Sequence, residues 1–412
     1  MNIAVMGYGT VGSGVVEIIN KRGGLMEDKC APDALSVKYI LDLRDFPGDV
    51  NADKFTKDFN DIVNDDSVKI VVETMGGINP AFDFCAASLK AGKHVVTSNK
   101  ELVAEKGLEL LALAKENNVN FMFEASVGGG IPILRPLSVC LAANEILSVN
   151  GILNGTTNFI LTKMISDNMS FETALKIAQD NGYAEKDPTA DVEGHDACRK
   201  ICILAALSFG NHIYPKNVHC EGITNIMLED VAYAASADSV IKLIGTASKL
   251  DDGKIYILVS PALVRKTSQL SKVDDVFNAV LVDGDSTGEV VFYGKGAGKL
   301  PTASAVVADV IDCANHTDVR RLIGWEGEKS GQIADYREIK NEYYIRLHVS
   351  DSFDKLADVK SAFGEINLLA RSGAGTHELA FVTQEFTENE VRAKIDSLCD
   401  VELKSLIRVA KC

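Results

Sequence analysis

The chain has 412 residues and a formal net charge of −16, longer than one typical core, so two or three domains are expected. Its 46% hydrophobic and 24% charged residues make a globular balance that excludes extended disorder, and an acidic excess without clustered Lys or Arg argues against a nucleic-acid partner and for a small soluble ligand. No apolar run has membrane-spanning length, no charged leader precedes the first strand, and the nine cysteines are scattered without metal-ligand or C-x-x-C spacing, so a cytoplasmic protein with reduced thiols and no membrane contact is expected.

The first element, IAVM, reads as a short buried strand, followed by GYGTVG at Gly7–Gly12, a helix, and a second strand, VKYILD. In such a G-x-G-x-x-G turn Gly7 permits the tight bend, Gly9 lets backbone approach a pyrophosphate, and Gly12 allows close helix–sheet packing, so the unit reads as a dinucleotide site. Asp42, ending the second strand, could accept ribose hydroxyls and favour NAD, whereas Arg44 could hold the extra phosphate of NADP; both cofactors stay open. The interval from Gly12 to Asp42 exceeds the usual ~20 residues, with GGLMEDKCAPDAL read as an inserted loop. IVVETMGG, a helix opened by Asn79-Pro80 and closed near Gly92, HVVTSNK, the helix ELVAEKGLELLALAKENN, and VNFMFEASVGGG continue the alternation. The expected fold is α/β, a doubly wound parallel sheet.

Near Pro132 the rhythm changes. IPILRPLSVCLAANEI reads as helix, ILSVNGIL as strand, and a long helical stretch with two breaks runs to about Gly210, where Cys198 and Cys202 at helical spacing read as buried packing. KIYILVSPALV and FNAVLVDGDSTGEVVFYGKGAG supply strands of a mixed sheet, PTASAVVADVIDCANH is a helix, and the end of the chain reads strand, helix, strand, strand, helix, strand as an independent module.

The most informative segment is AQDNGYAEKDPTADVEGHDACRK, Ala178 to Lys200. A helix ends at Gly182 and another begins near Asp191, placing Glu193, Asp196 and Lys200 on one face; spacing alone favours an ordinary acid–lysine surface pair. The whole string, however, fits A-x3-G-Y-A-x2-D-P-x2-D-V-x-G-x-D-x3-K and resembles the homoserine dehydrogenases, as do VVETMGG, VVTSNKE, EASVGGGIPI, LNGTTNFIL and GKGAGKLPTASAV in the same order. The resemblance covers roughly the first 320 residues, and the tail resembles an ACT module.

The resemblance implies a Rossmann-type domain over 1–134 completed by a helix at about 301–320, an α+β substrate-binding, catalytic and dimerisation domain over 135–300, and a small βαββαβ ACT-like domain over 341–412. It implies reversible, NAD(P)-dependent interconversion of L-homoserine and L-aspartate 4-semialdehyde in threonine and methionine synthesis, by a homodimer or homotetramer. Lys100 and Lys200 would reach the reacting end of the substrate from opposite sides, one taking the hydroxyl proton, with Lys200 the favoured base and Lys100 the polariser. Two lysines facing one cavity are expected to depress each other's pKa. Glu185, Asp191 and Asp196 would accept the substrate ammonium, and Tyr183, Gly155 and Thr156 would line its pocket, while His195 faces solvent. Thr10, Val11, Thr74, Met75, Gly76, Ser98, Asn99, Lys100 and Gly296 join Gly7, Gly9, Gly12, Asp42 and Arg44 at the cofactor. Glu124 with the carbonyls of Val127, Gly129 and Ile131 would hold a sodium-like monovalent cation. In the tail, Ser352, Phe353 and Asp354 stand where the family-like loop has Pro-Gly; Phe353 fills space and Asp354 opposes a ligand carboxylate, so threonine is expected to bind poorly there.

A different amino-acid-linked dehydrogenase and a nucleotide-sensing regulatory protein are the rival readings. The long signature argues against the first, and two lysines beside three carboxylates are superfluous for the second.

Overall fold

The computed structural model describes residues 1–26, 34–321 and 323–412. The first sheet is built from β1 (Asn2–Met6), β2 (Ser36–Leu41), β3 (Phe55–Thr56), β4 (Val68–Glu73), β5 (His94–Thr97) and β6 (Phe121–Met122), with α1 (Thr10–Met26), α2 (Asn60–Val63), α3 (Ala81–Lys90) and α4 (Lys100–Glu116) between them. Its strands run parallel in the order β3-β2-β1-β4-β5-β6. Ile3 to Met6, Ile70 to Val72 and Val95–Val96 are buried, as a sheet covered on both faces requires. The order reverses between β1 and β4, opening a crevice at the carboxyl ends of the strands where the loops after β1, β4 and β5 meet. Of the segment read as an inserted loop, 23–26 extend α1 and 27–33 lie outside the described residues.

The second sheet takes β7 (Ile146–Ile152), then, after α5 (Gly155–Ser166), α6 (Phe171–Asp180), α7 (Thr189–Val192) and α8 (His195–Phe209), the short β8 (His219–Cys220) and α9 (Leu228–Ser236), followed by β9 (Ser239–Lys249), β10 (Ile255–Arg265), β11 (Phe277–Gly284) and β12 (Gly288–Lys295). α10 (Lys299–Asn315) returns to pack along α1 and under β4 and β5. The last residues form β13 (Tyr343–Val349), α11 (Ser352–Phe363), β14 (Ile366–Leu369), β15 (Glu378–Thr383), α12 (Glu388–Asp396) and β16 (Val401–Val409).

Four sequence expectations are corrected. The stretch after Pro132 is helical only over 134–140, with Leu137 N–H to the Ile133 carbonyl at 2.9 Å, and it widens over Pro136–Cys140, where Leu141 N–H reaches the Pro136 carbonyl at 2.9 Å and Pro136 has no N–H to give to the turn before it. The helical stretch breaks three times rather than twice, and the third break is at Gly194, whose φ of +82° suits glycine and where a Cβ would lie 3.0 Å from Cys220 Sγ. Glu193 therefore sits in the break, outside the helix that carries Asp196 and Lys200. The tail is not free-standing: β16 pairs in parallel with β10 (Ala262 with Arg408, Leu263 with Val409), making one mixed ten-stranded sheet, β12-β11-β7-β9-β10-β16-β13-β15-β14 with β8 beside β10.

The tail keeps its own apolar core of Tyr343, Ile345, Leu347, Val359, Phe363, Phe381 and Val391. It is also bolted to α9: Asp230 accepts from Arg346 Nε at 2.8 Å and Tyr344 OH at 2.9 Å, and Glu378 accepts from Tyr233 OH at 2.7 Å and Arg371 Nε at 2.8 Å.

Candidate active site

The glycine turn after β1 leaves room on one side and none on the other. At Gly12 a Cβ would lie 1.9 Å from the Gly7 carbonyl oxygen and 2.7 Å from Thr74 Oγ1, so α1 can begin this close to the strand ends only with glycine. At Gly9 nothing lies within 4 Å of a Cβ, leaving open space over the first turn of α1, Thr10 and Val11, where N–H groups and the helix dipole favour an anion. The residues thus fit a dinucleotide pyrophosphate. Thr74 Oγ1 donates toward the Met6 and Gly7 carbonyls, at 3.1 and 2.9 Å, and locks the neighbouring strand end to the turn.

Beneath this floor lies a carboxylate that the sequence reading missed. Glu73 is fully buried and accepts from Met75 N at 2.7 Å, Gly76 N at 3.2 Å and Thr97 Oγ1 at 2.5 Å, fixing the loops after β4 and β5 together. Burial pushes its carboxyl pKa up against those hydrogen bonds. Ser98 N reaches the Glu73 carbonyl at 3.3 Å, and Asn99 caps α4 through Leu102 N at 3.1 Å while donating to the Gly77 carbonyl at 2.5 Å. Lys100 thereby opens α4 at the rim of the crevice.

Asp42 and Arg44 meet each other. Arg44 grips the carboxylate with Nε at 3.0 Å and Nη2 at 2.8 Å, Tyr8 N donates to it at 2.8 Å, and Arg44's hydrogen bonds, with those of the backbone, hold the carboxyl well below the usual range despite its partial burial. The two residues that suggested opposite cofactors form one ion pair.

Across the crevice, α8 carries Asp196 and Lys200 one turn apart. Asp196 is buried; Lys200 Nζ lies 2.7 Å from its Oδ2 and Lys100 Nζ 2.5 Å from its Oδ1, so one carboxylate joins a lysine from each domain. Lys200 also donates to the Leu153 carbonyl at 2.7 Å. Asn154 donates through Nδ2 to Asp191 Oδ1 at 2.7 Å and Asp196 Oδ2 at 2.8 Å, while its Oδ1 caps α5. The L-N-G-T-T string carried a signal for the cap, but nothing in it said where the amide nitrogen would point.

These contacts separate the two lysines electrically. Burial first, then the charge of Lys100, pushes Lys200 below the ordinary lysine range, against the pull of Asp196 and Asp191. For Lys100 burial also lowers the pKa, but Asp196 and Asp191 outweigh it and the net shift is upward, contrary to the mutual depression expected. Asp196 is held ionised by the two ammonium groups in spite of its burial, and Asp191 is raised by burial and by Asp196.

The remaining candidates divide. Thr156 donates to the Tyr183 carbonyl at 2.7 Å, tying the start of α5 to the loop after α6, and the Tyr183 ring, 45% exposed, sits edge-on to Phe159. A Cβ at Gly155 would lie 2.8 Å from the Val276 carbonyl oxygen. Glu185 is exposed on the same loop and His195 on the first turn of α8. The Glu124 carboxylate accepts from Ile133, Leu134 and Arg135 N–H at 2.6 to 2.8 Å and so holds the chain after the glycine loop. The glycine loop after it is pressed against Gly296, and Gly130 N donates to the Lys295 carbonyl at 3.0 Å. Among the described residues no group of three or more His, Cys, Asp or Glu could hold a metal ion, and no helix is long and apolar enough to cross a membrane. In the tail, Phe353 is 81% exposed rather than space-filling, and Asp351 caps α11 through Phe353 N and Asp354 N.

A cradle shaped for a dinucleotide, facing a carboxylate flanked by two ammonium groups of different basicity, defines an NAD(P)-dependent oxidoreductase acting on a small polar substrate. Comparison with known proteins narrows this. Residues 7–124 match the family model of the homoserine dehydrogenase NAD-binding domain and residues 132–311 that of homoserine dehydrogenase itself. The homoserine dehydrogenase of Bacillus subtilis strain 168 is 38% identical, with 99% of this chain and 98% of that protein covered. The crystal structure of a homoserine dehydrogenase from Thiobacillus denitrificans superposes with a TM-score of 0.89 at 34% identity, covering 100% of this chain and 98% of the other. A hyperthermophilic archaeal homoserine dehydrogenase in complex with NADPH gives a TM-score of 0.64 at 30% identity, covering 76% of this chain and 97% of the other. The chain belongs to the homoserine dehydrogenase family, whose members oxidise the CH–OH group of homoserine with NAD(P).

Proposed function

We propose that Lys200 is the base that takes the hydroxyl proton of L-homoserine and that Lys100 stays cationic and polarises the same oxygen. The observation that carries this is the shared Asp196 carboxylate, 2.5 Å from one lysine and 2.7 Å from the other. A base must be able to lose its proton, and Lys200, buried and pushed down, does so more readily than Lys100, which is pushed up. NAD(P)+ in the cradle of Gly7, Gly9, Gly12, Thr74 and Ser98 supplies the hydride acceptor. Asp191 and Glu185 receive the substrate ammonium, Asp196 being taken up by the two lysines and Asn154, and Thr156, the backbone of Gly155 and Tyr183 line its other end. In the reverse direction Lys200 returns the proton to the semialdehyde oxygen, giving homoserine for threonine and methionine synthesis. The test is spectrophotometric: homoserine with either oxidised cofactor should give nicotinamide reduction by the wild type, and the Lys200→Ala protein should give almost none.

Four finer assignments belong to the same reading. NADP serves if Arg44 releases Asp42 to meet a 2′-phosphate, and NAD if the pair stays closed. A monovalent cation, where bound, relies on Glu124 with the carbonyls of Val127, Gly129 and Ile131. The protein works in the cytoplasm as a homodimer or homotetramer, a reading supported by Leu147, Val291 and Tyr293, exposed on β7 and the edge strand β12. The tail is ACT-like, and because Asp354 adds a carboxylate beside the capped turn it binds threonine weakly; titrating threonine into the assay of the full chain should give no strong inhibition at submillimolar concentration.

A further inference from the structure

Lys100 and Asp196 are not alone in joining the two domains. The residue after Lys100 on α4 is Glu101, and Arg199 lies one turn beyond Asp196 on α8; Arg199 Nη2 donates to Glu101 Oε1 at 3.1 Å. The first turn of α4 and the start of α8 are thus joined by two neighbouring ion pairs of opposite polarity: α4 gives the cation in one and the anion in the other. A single pair fixes a distance between two helices. Two antiparallel pairs also fix their register, because a slide or rotation that preserves one brings like charges together at the other. Lys100 with Arg199, and Glu101 with Asp196, are those mismatched partners. The inner pair, on Asp196, lies among the groups that handle the reacting oxygen; the outer pair is partly exposed, with side chains 26% and 35% accessible, and stands apart from the Asp196–Lys200–Leu153 contacts.

We propose that the Glu101–Arg199 ion pair is a positioning device that sets the register of α4 against α8, and so the placement of Lys100 relative to Lys200 in the closed site. This rests on the assignment of the two lysines above. Neither Glu101 nor Arg199 handles a proton in it; their main work is geometric, although the Arg199 charge also bears on Lys100 and lowers its pKa, and misplacement of reacting groups by about an ångström costs up to ~100-fold in rate. As a partly exposed pair it adds little to stability. Loss of the pair should therefore appear in turnover and leave the fold and the cofactor cradle intact.

The experiment is a charge-swap cycle on the full-length protein: Glu101→Arg, Arg199→Glu and the double variant, with Arg199→Lys and Glu101→Gln as milder changes, alongside Lys200→Ala. For each, kcat and KM for homoserine, cofactor affinity by fluorescence titration, and the thermal midpoint are measured. Each reversal should lower kcat by roughly tenfold or more, with cofactor affinity within about twofold and the midpoint moving by no more than about 2 °C. The double variant should recover most of the lost kcat, and Arg199→Lys should retain more of it than Arg199→Glu. Should the double variant turn over no faster than the single reversals, or should both reversals keep wild-type kcat, the positioning role is overturned. A midpoint that falls in step with kcat would also overturn it, by making the pair merely structural; Glu101→Gln provides this comparison if a reversal does not fold. The two proposals fail separately: near-normal turnover by Lys200→Ala removes the lysine assignment, whereas an inactive Lys200→Ala beside an unrecovered swap removes only the register device.

Discussion

Asp230 and Asp196 are both buried beside cations, and they do opposite work. Asp230, on α9, meets the Arg346 guanidinium and the Tyr344 hydroxyl, with Asp230 fully buried and Arg346 only 6% exposed. Asp196, on α8, is nearly as buried, but its partners are lysines and Lys100 remains 40% exposed. An arginine fork is permanently charged and satisfies a carboxylate from two directions, which suits a joint between sheet and helix. A lysine is a point charge whose proton affinity responds to burial and neighbours, which suits a group that must give and take a proton. The tail joint is saturated; the cleft pair opens toward the cofactor crevice. Burial and pairing alone do not mark an active site. The type of cation, and its access to a cavity, do.

The comparison can be broken from either side. The largest effect is expected at the joint: Arg346→Ala leaves Asp230 buried without its cation and should cost roughly 3–5 kcal/mol, read as a fall in denaturant midpoint, with kcat of the folded fraction preserved. A loss of kcat without loss of stability would make the tail joint part of the catalytic machinery. Next comes Lys200→Ala, expected to lower turnover by ~100-fold or more with cofactor affinity nearly unchanged; near-normal turnover would reduce the cleft pair to a second structural joint. Asn154 sharpens the contrast, because it caps α5 and also bridges two carboxylates. Asn154→Ser keeps a neutral cap acceptor but is too short to bridge the two carboxylates, so kcat should fall about tenfold, while Asn154→Ala adds about 1 kcal/mol of instability; equal kinetics and stability in the two variants would contradict the division. The smallest effect is at Asp42: Asp42→Ser frees Arg44 and should raise the NADP-over-NAD preference roughly tenfold, about one charge-assisted hydrogen bond, and an unchanged ratio would place the pair away from the cofactor.

A third buried aspartate extends the contrast to pH. Asp309 on α10 accepts from Glu124 N at 2.8 Å and pairs with Arg135, yet burial pushes its carboxyl up to about 7. Between the ordinary aspartate pKa and that value the folded protein holds a proton that the unfolded chain has lost, so this group's contribution to stability is full below about pH 4 and falls as pH rises toward 7. Asp309→Asn should remove that slope from a pH series of denaturant midpoints.

Much of the fold was legible because it is written in local periodicity. The parallel strands are short apolar runs between glycine turns, and all six tail elements appear in the expected order. β9 was not singled out: it follows α9 with only the positive-φ turn at Asp238 between them, so the apolar sequence changes from helix to strand without a glycine or proline. The joining of β16 to β10 is a tertiary edge pairing between residues nearly 150 positions apart, with no local trace. At the site, the reading by motif and family resemblance picked out Lys100, Asp191, Asp196 and Lys200, which the fold brings together. It did not pick out Asn154, Glu73, Glu101 or Arg199, whose significance lies in partners supplied by other elements, and it put Glu193 on a helix that Gly194 excludes it from.

On the proposal above, Lys200 loses its proton because burial first, and then the charge of Lys100 across Asp196, push its pKa down. The most direct measurement is the pH dependence of kcat for homoserine oxidation in the wild type and in Lys100→Met. If Lys200 is the base, kcat rises with pH as its ammonium deprotonates. Removing the charge of Lys100 ends the repulsion and leaves Asp196 to Lys200 alone, so both changes raise the Lys200 pKa. The rising limb should therefore move to higher pH in Lys100→Met, beneath a lower plateau. A limb that stays in place, or moves to lower pH, would contradict the assignment of Lys200 as the base.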